Sequence, residues 1–153
     1  RRYERLPRGG SEGGIVVAAN RHNELLLIRE YAAGFHEIQL TLPKGLVEPQ
    51  ESMEAAASRE LAEEVGFAAN RTELVKRLTL APSHMGFSIN VVFATDLYPH
   101  QLQGDEPEPI ELVPWPLQRL DELLHNEEFC EARAIAALAL CRPLFSQLLE
   151  ATD

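Results

Sequence analysis

Three glutamates crowd the end of an alanine-rich segment, and their spacing would place them on one face of a helix. Glu60 precedes Glu63 by three positions and Glu64 by four, and residues so spaced are neighbours on a helix surface. Like charges there repel, and the partial negative charge of a helix C-terminus disfavours acidic residues further. A divalent cation would turn this repulsion into attraction, since hard ions such as Mg²⁺ prefer carboxylate and carbonyl oxygens. The alternative is an exposed, solvated acidic face with one ion pair from Arg59 to Glu63.

The wider pattern around these glutamates is more specific than the helix alone. It comprises Gly45, five residues, Glu51, seven residues, Arg59-Glu60-Leu61, one residue, Glu63-Glu64, one residue and Gly66-Phe67. Seven fixed and two apolar positions would match by chance with odds of about 10⁻⁷. This pattern matches the Nudix box, and over residues 45–67 the chain resembles a Nudix hydrolase.

The resemblance implies both a fold and a reaction. The fold would be α/β, a mixed β-sheet sandwiched between helices (α/β/α), with the Nudix box forming a loop-helix-loop. The reaction would be hydrolysis of a nucleoside diphosphate linked to another group, with Mg²⁺ or Mn²⁺ as cofactor. We expect residues 1–153 to form a single domain, in which residues 1–13 are a frayed or truncated N-terminal segment. The chain opens with Arg1 and not with Met, so we expect a fragment.

Carried onto this chain, the resemblance assigns the metal ligands. Glu60 and Glu64 would bind the ion, with Glu63 close by as a ligand or as the group that positions the water. The backbone carbonyl of Lys44 would add an oxygen. Metal ions would screen the pyrophosphate charge and lower the pKa of bound water.

Three further residues of the box would support these ligands. Arg59 and Glu51 would hold the loop against the helix. Gly45 would allow a backbone conformation closed to other residues.

Segments outside the box are similar to one branch of the superfamily. Pro82 lies fifteen positions after Phe67, and a proline near this place resembles the ADP-ribose pyrophosphatases. Residues 28–31, 81–83 and 96–109 are similar to a bacterial subgroup that cleaves ADP-ribose, diadenosine polyphosphates and NADH. From ADP-ribose the products would be AMP and ribose 5-phosphate.

The same branch implies substrate contacts. Arg29 would contact the substrate, the Lys44 ammonium would meet a phosphate, and Ser83 lies in a segment near the expected site. The alternatives are a solvated arginine at a strand end and a lysine that faces solvent. Relatives commonly carry Glu-Leu where this chain has Gln39-Leu40, which puts any catalytic role of Gln39 in doubt.

A glutamate from an acidic loop would act as base or ligand in this branch. Glu108 is the first choice and Glu106 the second, in a loop that Pro107 and Pro109 stiffen. Glu63 is the third candidate for the base. The alternative is a solvated surface loop.

The remaining elements follow from apolar patterning. Residues 14–19 and 25–31 flank a polar connection and predict a β-hairpin. Further strands are predicted over 35–42, 73–80, 89–95 and 110–113, with a turn at 43–45. Helices are predicted over 52–65, 117–125 and 127–149, with Ser52 as N-cap, Gly66 after the C-terminus and a kink or break at Pro143.

Composition limits the partners. The net charge of −10 argues against a nucleic-acid binder, and no apolar run reaches about 18 residues, so no membrane-spanning helix is expected. Cys130 and Cys141 fall in the last predicted helix and are expected to be buried small residues. Their low number and the lack of a signal peptide indicate a cytoplasmic location.

The expected partner is a small-molecule nucleotide substrate. A homodimer is also expected, because relatives build part of the substrate site from a partner subunit. Two alternatives stay open: a Nudix module that senses nucleotides without turnover, and a Nudix enzyme for another nucleoside diphosphate derivative.

Overall fold

The computed structural model describes residues 12–104 and 107–151. Seven strands and three helices are assigned within them: β1 (Gly13–Ala18), β2 (Glu24–Ala32), β3 (Glu37–Thr41), β4 (Lys44–Leu46), α1 (Met53–Glu64), β5 (Phe67–Thr79), β6 (Ser88–Pro99), β7 (Glu111–Pro116), α2 (Leu120–Leu124) and α3 (Ala132–Glu150), with a 3₁₀ turn at Leu117–Arg119. The segment predicted to be frayed falls mostly on residues 1–11, outside the described residues. Its last residue, Gly13, instead begins β1.

The strands form two sheets. The first has the order β4-β1-β6-β5, in which β1 runs parallel to β6 and antiparallel to β4. The second has the order β3-β2-β7 and is antiparallel throughout. The predicted α/β class is confirmed, but the sheet structure is divided in two, and only the first sheet is mixed.

The central strands are buried on both faces, so each strand contributes to two cores. In β2, Leu25 and Leu27 pack in the core beneath α2 and α3. Leu26 and Ile28 pack beneath α1. This alternation follows from the two-residue period of a strand, and it places helices on opposite sides of the sheets.

The α1 helix begins and ends where its sequence predicts. The Ser52 hydroxyl accepts a hydrogen bond from the Ala55 N–H, and Gly66 follows the helix with φ of +75°. A left-handed residue is favourable at this position mainly for glycine. These two signals fix the register of the helix that carries the three glutamates.

Two local predictions in the first half of the chain were wrong. The predicted hairpin of residues 14–31 contributes only an isolated bridge between Ala19 and Leu25, because β1 and β2 join different sheets. The turn predicted at residues 43–45 is the beginning of β4, an edge strand paired with β1. An edge position tolerates the preceding proline.

The last helix also differs from its prediction. It begins at Ala132 and continues through Pro143 without a break. Cys130 lies before the helix and is exposed, whereas Cys141 is buried as expected; both thiols are free.

The α3 helix is, by length and composition, apolar enough to cross a membrane, contrary to the expectation that no segment would be. The core helix of a soluble protein passes the same test. Ala134, Leu138 and Phe145 of α3 are buried in the core beneath the sheets.

Candidate active site

Strand β4 and helix α1 bring the two ends of the 45–67 motif together. A Cβ atom added to Gly45 would overlap the carboxylate of Glu60. Any side chain here would have to displace that carboxylate, so glycine keeps free the space that the carboxylate occupies. Its expected role, an otherwise inaccessible backbone conformation, is replaced by this close approach.

Arg59 connects the loop to the helix. Its Nε and one terminal nitrogen donate to the two oxygens of Glu51, both at 3.0 Å, and the same terminal nitrogen donates to the Leu46 carbonyl at 2.9 Å. The other terminal nitrogen contacts Glu60 at 2.8 Å and Glu63 at 2.9 Å. Hydrogen bonding to Glu51 raises the pKa of Arg59, and the same bond lowers the pKa of Glu51.

Glu64 is the buried member of the acidic group, which argues against the alternative of an exposed, solvated acidic face. Its residue exposure is only 9%. Burial raises its pKa to about 8, the negative charges of Glu60 and Glu30 act in the same direction, and Lys44 opposes them. The Lys44 backbone N–H donates to its carboxylate at 3.2 Å. A carboxylate in this position favours the approach of a further cation.

Lys44 makes an ion pair with Glu30 from β2. Glu30 lies two residues after Ile28 and therefore on the α1 side of β2, since alternate residues of a strand share a face. Its cross-strand neighbour is Gln39. A carboxylate from β2 thus stands beside Gln39, the position at which the family resemblance led us to expect a glutamate.

One cavity of about 260 Å³ joins the acidic helix to the loop after β6. Its lining includes Glu60, Glu63 and Glu64 from α1 and Glu108 from the loop. The structure therefore brings the first-choice candidate for the base to the three box glutamates. Glu106, the second choice, lies outside the described residues.

The donor atoms around this cavity fit a hard divalent cation. Carboxylate oxygens are the ligands that Mg²⁺ and Mn²⁺ prefer, and the buried Glu64 is the observation that favours a cation. Within residues 12–104 and 107–151, no three acidic, histidine or cysteine side chains are already grouped as a metal cluster. Arg59 instead contacts one oxygen each of Glu60 and Glu63.

Two predicted substrate residues lie away from this cavity. Arg29 makes ion pairs at 3.2 Å with Glu111 and with Glu128, on the face of β2 opposite Glu30. Ser83 is exposed on the turn after β5, where its hydroxyl contacts His84. The described residues that line the acidic cavity include neither Arg29 nor Ser83.

Sequence reasoning missed two residues of this region. Glu30 could have been found from its alternation with Leu26 and Ile28, had the side of the sheet covered by α1 been known. Gln101, which also lines the acidic cavity, has no signal in the sequence, since only the return of the chain to α1 places it there.

Comparisons with known proteins agree on one family. The profile of the NUDIX domain matches residues 13–138. The ADP compounds hydrolase NudE of Escherichia coli (strain K12) is 46% identical over 140 residues, covering 92% of this chain and 75% of that protein. The ADP-ribose pyrophosphatase of Bacillus subtilis (strain 168) is 22% identical over 125 residues, 80% of this chain and 68% of that one. A crystal structure of an ADP compounds hydrolase superposes with a TM-score of 0.90 at 45% identity, covering 95% of this chain and 78% of the other.

Proposed function

The chain belongs to the Nudix family, and from this premise we propose that it hydrolyses the pyrophosphate bond of ADP-containing compounds with Mg²⁺ or Mn²⁺. It is a Nudix pyrophosphohydrolase, and its relatives act on ADP compounds and ADP-ribose by name. The observation that carries the proposal is the single cavity lined by Glu60, Glu63, Glu64 and Glu108. Four carboxylates around one space favour a cation and water and disfavour an unaccompanied anionic substrate.

In the proposed mechanism the box glutamates hold the cation. Glu60 and Glu64 are ligands, Glu63 is a ligand or orients water, and the Lys44 carbonyl adds an oxygen. When bound, the ion supplies charge screening for the pyrophosphate and makes water more acidic. Arg59 keeps two of the carboxylates in place through its contacts with the loop.

Glu108 is the proposed general base. Its carboxylate accepts a proton from the water that attacks phosphorus, and the bond from phosphorus to the bridging oxygen breaks. ADP-ribose and water thereby give AMP and ribose 5-phosphate. Glu106 and Glu63 are the second and third candidates for this role.

The substrate contacts are proposed at two places. The Lys44 ammonium, held by Glu30, lies beside the carboxylates and can meet a phosphate oxygen. Arg29 and Ser83 lie away from the acidic cavity, so their proposed contacts are with parts of the substrate distant from the cleaved bond.

Homodimerisation and a cytoplasmic location complete the proposal. The hairpin between β2 and β3 exposes Tyr31, Phe35 and Ile38 at 39%, 75% and 57%, and clustered apolar side chains favour association. Light scattering on the purified chain should give twice the monomer mass. A monomeric mass at micromolar concentration would contradict this part.

A product assay over a substrate panel tests the function. ADP-ribose, a diadenosine polyphosphate and NADH are incubated with Mg²⁺, Mn²⁺ or EDTA, beside a GDP-sugar and an oxidised nucleoside triphosphate. We expect AMP release from the adenylated compounds with a metal and none in EDTA. Ligand-induced stabilisation without AMP would instead identify a sensor, and preferred turnover of the other nucleotides would identify a different substrate.

A further inference from the structure

The chain that leaves β6 is attached to the C-terminal end of α1. The His100 N–H donates to the Gly66 carbonyl and the Leu102 N–H to the Ala62 carbonyl, both at 3.0 Å. The last carbonyls of a helix lack partners within the helix, and the Leu102 bond satisfies one of them, that of Ala62. The segment then leads toward Glu108.

Gln101 strengthens this attachment with its side chain. Its Nε2 lies within hydrogen-bond distance of three carbonyl oxygens: 3.1 Å from Ala62, 3.3 Å from Glu63 and 2.7 Å from Leu102. A Cβ atom at Gly66 would lie 2.7 Å from Gln101 Oε1. Glycine at position 66 therefore provides the space that the amide needs, besides its positive φ.

An amide suits this position electrostatically. The end of α1 carries partial negative charge and three glutamates, so N–H donors are favourable there. A lysine would also donate, but its full charge would pair with the carboxylates that hold the cation. Glutamine satisfies the carbonyls and leaves those carboxylates to the metal.

We propose that Gln101 is a positioning residue for hydrolysis, holding the loop that carries Glu108 against the end of the metal-binding helix. The inference rests on the proposed function, specifically on Glu108 as the base. Gln101 is itself exposed, so its loss should change the position of the loop more than the stability of the fold.

Substitution of Gln101 by methionine tests the positioning role. Gln101→Met keeps the side-chain length and removes the donor. With ADP-ribose and saturating Mg²⁺, we expect kcat to fall about tenfold to a hundredfold, with KM and Tm little changed. Gln118→Met, on an exposed residue of the 3₁₀ turn, is the matched control and should keep wild-type kinetics. An unchanged kcat in Gln101→Met would overturn the inference.

A double-mutant cycle shows whether Gln101 acts through Glu108. In the Glu108→Gln background, Gln101→Met should lower kcat by less than about twofold, because coupled residues are non-additive. If Gln101→Met lowered kcat by the same factor in the wild-type and Glu108→Gln backgrounds, the inference would be overturned and Glu108 would remain the base. Wild-type activity of Glu108→Gln would instead overturn the assignment of the base, and this inference with it.

Discussion

Replacing Glu64 by glutamine should stabilise the metal-free protein at neutral pH, although it removes one of the glutamates of the Nudix box pattern. Burial raises the pKa of Glu64 from its ordinary value of 4.5 to about 8. A carboxyl group whose pKa is raised by folding does not affect stability below pH 4.5, because it is protonated in both the folded and the unfolded state. As the pH rises from 4.5 to 8, the free energy of unfolding falls progressively, because the group ionises in the unfolded state first. At pH 7 the free energy of unfolding is lowered by about 3 kcal/mol, and the neutral amide of glutamine avoids this loss.

Thermal unfolding in EDTA between pH 5 and pH 8 measures the effect. The Tm of Glu64→Gln should exceed that of the wild type only slightly at pH 5 and by about 6–12 °C at pH 7, at 2–4 °C per kcal/mol for a domain of this size. Excess Mg²⁺ should stabilise the wild type by mass action and the variant much less, so the difference in Tm between the two proteins should narrow. Metal-dependent hydrolysis should be lost in the variant.

Glu54→Gln is the matched control on the same helix. Glu54 is exposed in the first turn of α1, where a negative charge is favourable by about 0.3–1 kcal/mol. Its replacement should lower Tm slightly, without the gain that Glu64→Gln is expected to show as the pH rises from 5 to 8. A Glu64→Gln variant no more stable than wild type at pH 7 in EDTA, or a constant difference across this range, would refute the assigned burial effect.

Three further outcomes are expected. Arg59→Ala should lower the free energy of unfolding in urea by about 2 kcal/mol, the size of a hydrogen bond to a charged group, and should reduce kcat, because Arg59 joins the loop to the helix. Unchanged folding and turnover would mean a merely solvated arginine. Glu108→Gln should lower kcat by about 10²–10⁴ with little change in KM, and a change below tenfold would move the base to the α1 helix. Gly45→Ala should raise the Mg²⁺ concentration for half-maximal activity, because its methyl group displaces Glu60. Gly34→Ala is the control: its methyl group meets no neighbouring atom, so the Mg²⁺ requirement should stay that of the wild type. Equal Mg²⁺ requirements in the two variants would contradict the close approach at Gly45.

Elements with local signals could be predicted from the sequence. The α1 helix is specified by Ser52 at its start and Gly66 after its end, and both act on neighbouring backbone groups. The same helix carries most of the candidate site, so the acidic motif and its chemistry could be inferred together. Glu108, which lines the acidic cavity, was chosen because the family resemblance implies a glutamate in this acidic loop.

Long-range pairing could not be predicted in the same way. Strand β1 pairs with β6, so that Gly13 faces Ile89, and a local pattern cannot distinguish this partner from the nearby β2. The ion pair of Arg29 with Glu128 and the amide contacts of Gln101 depend on the same distant packing. The assignment of Arg29 to the substrate therefore rested on family resemblance alone.

The position of β1 between β4 and β6 also bears on how the protein is made. On the ribosome, the helix with the three glutamates is complete at Glu64, but the strand that flanks β1 ends only at Pro99. At 5–20 residues per second, the interval is roughly 2–7 seconds. During it, β1 has one unpaired edge and β4 has no finished sheet to join. We expect the nascent chain to acquire affinity for its cation only once β6 has emerged, so that metal binding reports completion of the first sheet.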